Sequence, residues 1–240
     1  IHLRMYIEAA IDFSEEEISK AITTAISGIE FSSFSVGVSS ANPDLKAKAR
    51  AHAVYFIGAL GKKFLNDGFD LYILLNLDRG FIDVVPLAVF VEGRYNKFSR
   101  EVAQTFHYCF RCRGKGCGHC SHTGKLSEFS VQEILEKEFL PAFGAAESKF
   151  HGCGREDVDV RMLGRGRPFV VELLMPKKRS ADLAALLEKI NSVNDGIIAV
   201  HDLKFCGGSR VEEIKNSAFS KIYSALCECE SPVSAEELDS

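Results

Sequence analysis

This chain of 240 residues lacks several familiar signatures. It contains no run near the roughly 18 apolar residues of a membrane span, and no basic segment followed by an apolar run at its start. It also lacks a Walker loop, a Rossmann glycine fingerprint and an HExxH zinc motif. These absences argue against a membrane protein and against enzymes built on those motifs, and we expect a soluble cytoplasmic protein.

The composition is that of a folded protein, because 46% of the residues are hydrophobic and 26% are charged. The chain is long enough for one large domain or two small ones. Its net charge of -4 conceals two basic segments. Residues 94–125 hold seven Lys or Arg against one acid, and residues 155–179 hold seven against four. This asymmetry favours a surface that faces a polyanion.

Hydrophobic periodicity predicts an α/β (α+β) unit in the first 92 residues. Strands are expected at residues 1–7 and 31–38, and a capping box of Ser14 and Glu17 opens a helix. A second helix is expected over residues 45–65. The unit ends with two apolar runs that a turn separates, which is typical of a hairpin. The expected runs span residues 71–77 and 81–91.

The second half begins with a Gly-, Cys- and Arg-rich segment, residues 93–127, which we interpret as a basic linker with a metal-stabilised loop. Residues 128–240 are predicted to form a second α/β unit. Ser130 and Glu133 form another capping box, and a further helix is expected over residues 180–190. Its strands are predicted at residues 158–163, 168–174, 197–205 and 218–227.

Both ends of the sequence suggest a fragment of a longer protein. No methionine precedes the first strand, and a third capping box, Ser234 with Glu237, has only three residues after it. We therefore expect that the chain lacks both ends of its parent.

Two CxxC pairs dominate the cysteine pattern, and their members are Cys109, Cys112, Cys117 and Cys120. Four thiolates at this spacing favour a tetrahedral zinc site. The short spacer between the pairs leaves open an iron–sulfur cluster or a site shared with further cysteines. His119 and His122 are fallback ligands. The other four cysteines are expected to be spectators.

A mixture of cations and aromatics follows the predicted hairpin. Arg94, Lys97 and Arg100 can neutralise phosphates, while Tyr95 and Phe98 can stack on bases. The alternative is a solvated hairpin tail. These residues make RNA contact a hypothesis that charge alone does not decide.

The segment after Gly154 alternates charged and apolar residues. On a strand, Asp157, Asp159 and Arg161 would share one face and Glu156 would point away. This pattern suits an ion-pair ladder on an edge strand, or a carboxylate nucleophile held ionised by arginines. Arg165 and Arg167 then lie in a glycine turn that could clamp a phosphate.

Four motifs resemble the archaeal and eukaryotic tRNA pseudouridine synthases of the Pus ten family. HGCGREDVDVRMLGRGRPFVVELLMPKK (residues 151–178) resembles the central motif of that family. EGRYNKFSREVAQT (92–105) and SVQEIL (130–135) match it as well, and the cysteine insert is similar to that of archaeal members. For residues 1–69 the similarity is to a THUMP-containing accessory domain.

The resemblance implies isomerisation of uridine to pseudouridine in the T-loop of tRNA, at positions 54 and 55, without an organic cofactor. Asp157 is then the nucleophile of an Arg-x-Asp motif, and Arg155 takes the space of the flipped base. RNA would contact Arg94, Tyr95, Lys97, Arg100, Arg161, Arg165 and Arg167. The expected partner is tRNA, and the expected state is a monomer.

The same resemblance divides the chain into three parts. Residues 1–92 would be a THUMP-like RNA-binding accessory domain, 93–127 the basic linker with its four-cysteine loop, and 128–240 the first part of a truncated catalytic domain. The fragment itself is expected to be inactive. The alternatives are a non-catalytic RNA-binding module with a structural zinc site, and a redox protein with an iron–sulfur centre.

Overall fold

The computed structural model describes residues 14–217, together with the strand Ile7–Glu8, Ser220, residues 222–226 and Glu228. Two mixed α/β units follow one another along the chain, and each builds its own core on one sheet. This agrees with the predicted α+β class. Within the described residues, no helix combines the length and the apolar character needed to cross a membrane.

The first unit is a five-stranded sheet in the order β1-β5-β4-β2-β3. β2 lies parallel to β3 and β4, whereas β4 and β5 form the predicted antiparallel hairpin. Helix α1 packs on β5, α2 packs on β2, and the two helices contact each other. Its elements are β1 (Ile7–Glu8), α1 (Glu15–Ile26), β2 (Ser33–Ser39), α2 (Pro43–Ala59), β3 (Lys63–Phe64), β4 (Leu71–Asn76) and β5 (Phe81–Pro86).

Local capping sets the helix starts in this unit. The Ser14 hydroxyl accepts a hydrogen bond from the Glu17 amide, as the capping box predicts. The Asn42 side chain caps α2, which starts earlier than predicted because Pro43 suits the first helical turn. Helix α2 also ends at Ala59, before the predicted residue 65, because Lys63 and Phe64 pair with β2 instead.

The second unit is a four-stranded sheet in the order β7-β8-β6-β9. Residues 93–97, predicted as linker, form the second half of its central strand β6, so the run at 81–91 divides between the two sheets. Helices α3 and α4 pack against this sheet, and Val170 faces α5. Its elements are β6 (Val89–Lys97), α3 (Val131–Phe143), β7 (Glu147–Gly152), β8 (Met162–Leu174), α4 (Leu183–Val193), β9 (Ile198–Cys206) and α5 (Ser209–Asn216).

Two strand predictions need correction, and two elements were missed. Residues 157–161 are not in a strand, because the chain turns at Val158 and β8 begins only at Met162. Strand β7 was not predicted, and neither was helix α5. Ser220 and residues 222–226, predicted as strand, have no regular structure. The rest of that strand, the strand expected at residues 1–6 and the capping box at Ser234 lie outside the described residues.

Polar contacts join the two units. Arg179 of the second unit forms an ion pair with Asp70 of the first, with 2.9 Å between Nε and Oδ1. The Asp70 carboxylate also accepts hydrogen bonds from the amides of Ser32 and Ser33. Glu30 accepts hydrogen bonds from Arg179 and Ser180 through their backbone amides. We call this set of contacts the Arg179 joint.

Candidate active site and cysteine cluster

Glu156, the middle residue of the Arg155-Glu156-Asp157 segment, points its side chain into the protein. The Glu156 side chain is 2% exposed, and its carboxylate lies 2.7 Å from the Nε of Arg167. It also accepts hydrogen bonds from the Tyr95 hydroxyl at 2.6 Å and from Gln104 Nε2 at 2.9 Å. Buried charges are stable when they are paired and hydrogen-bonded in this way.

The partners of Glu156 come from different parts of the second unit. Tyr95 lies on β6, Arg167 lies on β8, and Gln104 lies at the start of the Cys-rich segment. Burial raises the pKa of Tyr95 well above its usual value, and the neighbouring charge of Glu156 adds to this effect. Tyr95 is therefore a neutral phenol that donates its hydrogen bond to Glu156.

Lys97 supports the Arg155-Glu156-Asp157 segment from inside the protein. Its fully buried ammonium donates to three backbone carbonyls, those of Val102 at 2.8 Å, Asp157 at 3.2 Å and Val158 at 2.7 Å. An ammonium group has three donors, so all of them are used. Burial lowers the pKa of Lys97, although nearby carboxylates, led by Glu156, counteract this. Lys97 thus fixes the backbone at Asp157 and Val158, where the turn begins.

Because Glu156 is anchored inside, its neighbours Arg155 and Asp157 are both exposed. They line a cleft of about 110 Å³. Arg155 also borders a second cleft of about 410 Å³, so it stands between the two. The remaining residues of the smaller cleft are Glu156, Val160, Met162, Arg167 and Tyr223. The larger cleft is also lined by Gln104, Thr105, Phe150, His151, Gly152, Gly154 and Lys215.

The strand geometry expected for this segment is wrong. Glu156 does point away from Asp157, but into the core, where it forms an ion pair with Arg167. Asp159 is exposed in the turn, and its carbonyl accepts a hydrogen bond from Arg100. No ion-pair ladder of Asp157, Asp159 and Arg161 forms within the described residues.

Three of the predicted RNA contacts also need correction. Tyr95, Lys97 and Arg167 are 0%, 0% and 5% exposed, and their polar atoms bind protein groups. They hold the site from within and are not available to a phosphate or a base. Arg167 therefore does not form a phosphate clamp with Arg165.

The other predicted contacts lie nearer the surface. Arg94 is half-buried and donates to the carbonyls of Arg165 at 2.6 Å and Gly166 at 2.8 Å. The turn predicted at residues 164–167 is wrong, because these residues lie within β8, where its register against β6 shifts. Gly166 has a φ of +66°, and a Cβ there would lie 2.6 Å from the Tyr95 carbonyl oxygen, so this irregular part of β8 requires glycine. Arg161 and Arg165 are exposed.

The four cysteines predicted as metal ligands lie together. Their sulfur atoms are all within 4.8 Å of one another, and three sulfur pairs are separated by 3.8–3.9 Å. A tetrahedral zinc site with metal–sulfur bonds of about 2.3 Å has sulfurs about 3.8 Å apart. The arrangement of Cys109, Cys112, Cys117 and Cys120 therefore fits zinc. The described residues contain no other such cluster.

Backbone amides point at two of the sulfurs. Gly116 donates to Cys112, while Cys117 and Gly124 donate to Cys120. Burial opposes ionisation of Cys120, but these two amides, together with the thiols of Cys112 and Cys117, lower its pKa to about 6. Burial and the thiols of neighbouring cysteines raise the pKa of Cys112 to about 11. The amides provide the environment that stabilises bound thiolates.

The two fallback ligands do not join the cluster. His119 packs its ring edge against Phe110, with 5.1 Å between ring centroids, and His122 is exposed. Sequence reasoning identified the cysteines because their spacing is local. It missed the roles of Glu156, Gln104 and Lys97, because the contacts that join the segment at 95–104 to the segment at 154–158 cross 50 or more residues of the chain. The only signal for them was their place in the motifs at residues 92–105 and 151–178.

A family model and several curated relatives match this chain. A family model described as "Pus10, C-terminal" matches residues 90–240. The tRNA pseudouridine synthase Pus10 of Methanothermobacter marburgensis is 48% identical over 174 residues, covering 70% of this chain and 43% of that protein. The protein of that name from Methanocaldococcus jannaschii is 47% identical over 160 residues, covering 66% and 34%.

A third relative of the same name, from Methanosphaera stadtmanae, is 45% identical over 160 residues. That match covers 66% of this chain and 39% of the relative. The chain therefore spans less than half the length of these curated relatives.

Proposed function

The chain belongs to the Pus10 C-terminal family, and we propose that the protein, at the full length of its relatives, is a tRNA pseudouridine synthase. Its substrate is uridine in the T-loop, at positions 54 and 55. The bond from N1 to C1′ of the ribose breaks, C1′ bonds to C5 of the same base, C5 loses a proton and N1 gains one. The reaction is an isomerisation, so it needs no redox cofactor.

This proposal rests on the directions of three consecutive side chains: Arg155 and Asp157 point outward, and Glu156 between them points inward. Glu156 is held in the core by Arg167, which fixes the backbone and turns both neighbours outward. A nucleophilic carboxylate must be ionised and must reach its substrate, and Asp157 is exposed on a braced segment. We assign Asp157 as the nucleophile.

Arg155 is assigned a role in base flipping. The target base must leave its stack before the enzyme can reach the glycosidic carbon, and the gap it leaves must be filled. Arg155 is exposed, borders both clefts and lies two residues from Asp157. Its guanidinium group is planar and can stack where the base was.

The T-arm of tRNA would be held by the exposed cations of this face. Arg161 and Arg165 flank the site, and Arg100 is also exposed next to the turn. These groups can neutralise phosphates near Asp157. The first unit is the proposed THUMP-like accessory domain, residues 128–240 are the proposed first part of the catalytic domain, and the cytoplasm is the proposed location.

Zinc is the metal proposed for the four cysteines. Cys109, Cys112, Cys117 and Cys120 would hold it with four thiolates, which leaves no open position for a substrate. Bound zinc supplies structural stability to the loop and no chemistry to the isomerisation. This follows from the donor set and from the spacing of the sulfur atoms.

The test is release of tritium from tRNA labelled at C5 of uridine, with the full-length protein. Asp157→Asn should abolish release and leave tRNA affinity within about twofold, because the substitution is nearly isosteric. Asp159→Asn is the matched control, and it should retain most of the rate because the Asp159 side chain is exposed in the turn.

Substantial turnover by Asp157→Asn would disprove the assignment of the nucleophile. If the wild-type full-length protein binds tRNA but releases no tritium, the alternative of a non-catalytic RNA-binding module with a zinc site is correct.

A further inference from the structure

Three consecutive backbone carbonyls just after strand β7 point into the protein. The Cys153 carbonyl accepts a hydrogen bond from Arg167 Nη1, and the Arg155 carbonyl accepts a long one, 3.5 Å, from Nη2 of the same arginine. The Gly154 carbonyl accepts from Gln104 Nε2 at 3.1 Å. Both donor side chains are buried, so this stretch of backbone is held from inside.

The N–H groups of the same peptides must point the other way. In a trans peptide the N–H lies opposite the C=O, and no peptide is cis in the part of the chain that the structure describes. The N–H groups of Gly154, Arg155 and Glu156 are therefore directed away from the buried donors. None of the three finds an acceptor among the described residues. Adjacent N–H groups left free in this way bind anions.

The larger cleft beside these amides is suited to an anion. Gly154 and Arg155 line this cleft of about 410 Å³, and both are exposed. Lys215 of α5 lines it as well, and its ammonium forms no ion pair with any described residue. No carboxylate of the described residues lines the cleft. Glu172 is bound instead to the lining residue His151, with 2.9 Å between Oε2 and Nε2.

We propose that the N–H groups of Gly154, Arg155 and Glu156, which we call the amide nest, bind a phosphate group of RNA. Lys215 would supply the cation that neutralises it. A hydrogen bond to an anionic oxygen is stronger than one between neutral groups. Backbone donors that are already held in place also lose little entropy on binding.

The inference rests on the proposed function because it takes RNA as the ligand, and it deepens that function by naming the bound group. Arg155 stands between the two clefts, and Asp157 lines the smaller one. With the target uridine at Asp157, the phosphate in the amide nest would be one of the two that flank this nucleotide. The nest would hold the RNA backbone at the point about which the base rotates out of its stack.

The first experiment observes the amides directly, by NMR of the isotope-labelled chain as it stands. Addition of a T-arm hairpin should move the amide protons of residues 154–156 downfield, because they enter charge-assisted hydrogen bonds. The exposed turn at residues 194–196 is the internal control, and its amide protons should not move.

Inorganic phosphate alone provides a second arm of this experiment. It carries the same chemical group without the RNA, and it should move the same amide protons only at much higher concentration than the hairpin. If inorganic phosphate moves them and a bound hairpin does not, the nest takes free phosphate and the proposal is wrong.

The second experiment identifies the phosphate. A neutral methylphosphonate replaces one phosphate of the hairpin at a time, and anisotropy gives the Kd. Replacement at one flanking position should weaken binding to the wild type about tenfold. In Lys215→Gln the same replacement should weaken binding only about threefold, because part of the interaction is already lost.

Lys178→Gln is the matched control, since Lys178 is an exposed lysine of the same unit that lines neither cleft. It should keep the full tenfold loss at the flanking position. Amide protons at residues 154–156 that stay in place while the hairpin binds would overturn the proposal. So would a scan in which neither flanking phosphate matters more than a phosphate of the stem.

These binding measurements do not depend on catalysis. Tritium release by the full-length protein without any response of the amide protons would refute only the amide nest. A responding nest in a protein that releases no tritium would refute only the proposed reaction.

Discussion

Glu156 and Arg167 form an ion pair whose atoms lie 2.7 Å apart and whose side chains are 2% and 5% exposed. The pair lies directly beneath two exposed residues, Arg155 and Asp157. The buried ion pair thereby turns Arg155, assigned to base flipping, and Asp157, assigned as the nucleophile, toward the surface.

Arg167→Met should destabilise the chain by about 3–5 kcal/mol, because it leaves the Glu156 carboxylate buried without its cation. Arg165→Met removes the same charge from an exposed position, and its free energy of unfolding should stay within about 0.5 kcal/mol of the wild type. Urea denaturation measures both. Equal losses of unfolding free energy in the two variants would show that burial of the ion pair does not increase the cost of removing the charge.

Lys97→Met should slow catalysis more than it weakens substrate binding. The variant removes the ammonium that binds the carbonyls of Asp157 and Val158, so the segment that carries the nucleophile loses its fixed position. We expect kcat of the full-length protein to fall about 10- to 100-fold, with the Kd for tRNA within about threefold.

The matched control for Lys97 is Lys178→Met, which changes an exposed lysine of the same unit. Faster amide exchange at residues 157–160 in Lys97→Met alone would identify a positioning role. An unchanged kcat would contradict that role.

Local patterns predicted the elements that local interactions determine. The capping serines Ser14 and Ser130, the hairpin at residues 71–86 and the CxxC pairs all depend on neighbours within a few residues. Residues 157–161 alternate charged and apolar residues as a strand does. They form no strand, and the carbonyls of Asp157 and Val158 accept hydrogen bonds from Lys97 instead.

The burial of charged residues could not be predicted from the same patterns. Lys97 and Arg167 belong to a basic segment, and only the pairing of β6 with β8 places them next to Glu156 in the interior. An Arg or Lys is usually exposed unless it is paired. Glu156 is distant from Lys97 in sequence but near Arg167, and local charge counting does not show that all three side chains point inward, so it assigns both cations to RNA.

The purified chain should contain about one equivalent of zinc, measured by elemental analysis. Cys117→Ser should reduce this below half an equivalent, whereas Cys206→Ser, at an intermediate exposure outside the cluster, should not. A chelator should lower the melting temperature of the wild type, because the metal binds only the folded arrangement. Full zinc content in Cys117→Ser would exclude this cysteine as a ligand.

Affinity for tRNA should fall as salt rises, and Arg161→Gln with Arg165→Gln should reduce the slope by about 1.8, since each removes one phosphate contact. Lys137→Gln with Lys178→Gln, two exposed lysines of the second unit that line neither cleft, is the control of equal charge. Filter binding of the chain at several salt concentrations gives both slopes. A slope that stays at the wild-type value would place the phosphate contacts on another surface.

The Arg179 joint should weaken in acid. Burial raises the pKa of Asp70, but the amides of Ser32 and Ser33 and the charge of Arg179 outweigh this, so the net pKa lies below its ordinary value of 3.8. The hydroxyl of Ser180, followed by the Arg179 amide, lowers the pKa of Glu30 below 4.5. Lowered pKa values stabilise the folded state at pH above the unfolded values, and this contribution disappears as pH falls through the folded values.

Asp70→Asn should therefore lower the free energy of unfolding by about 1 kcal/mol at pH 7. The loss should be smaller at pH 3, where the wild-type carboxylate is partly protonated and has already lost part of its stabilising contribution. Thermal unfolding between pH 7 and pH 3 measures the difference. Asp67→Asn, an exposed neighbour, is the control. A cost that does not change with pH would mean that the carboxylate charge of Asp70 does not hold the joint.

The closed base of the cysteine loop has an evolutionary consequence. Ala103 and Ser130 are bridged directly, and the Tyr108–Lys125 bridge closes the stem above them. The chain thus leaves the body of the protein and returns to it at nearly the same point. Such an insertion can be lengthened, exchanged or deleted between lineages while the sheet and helix α3 retain their register.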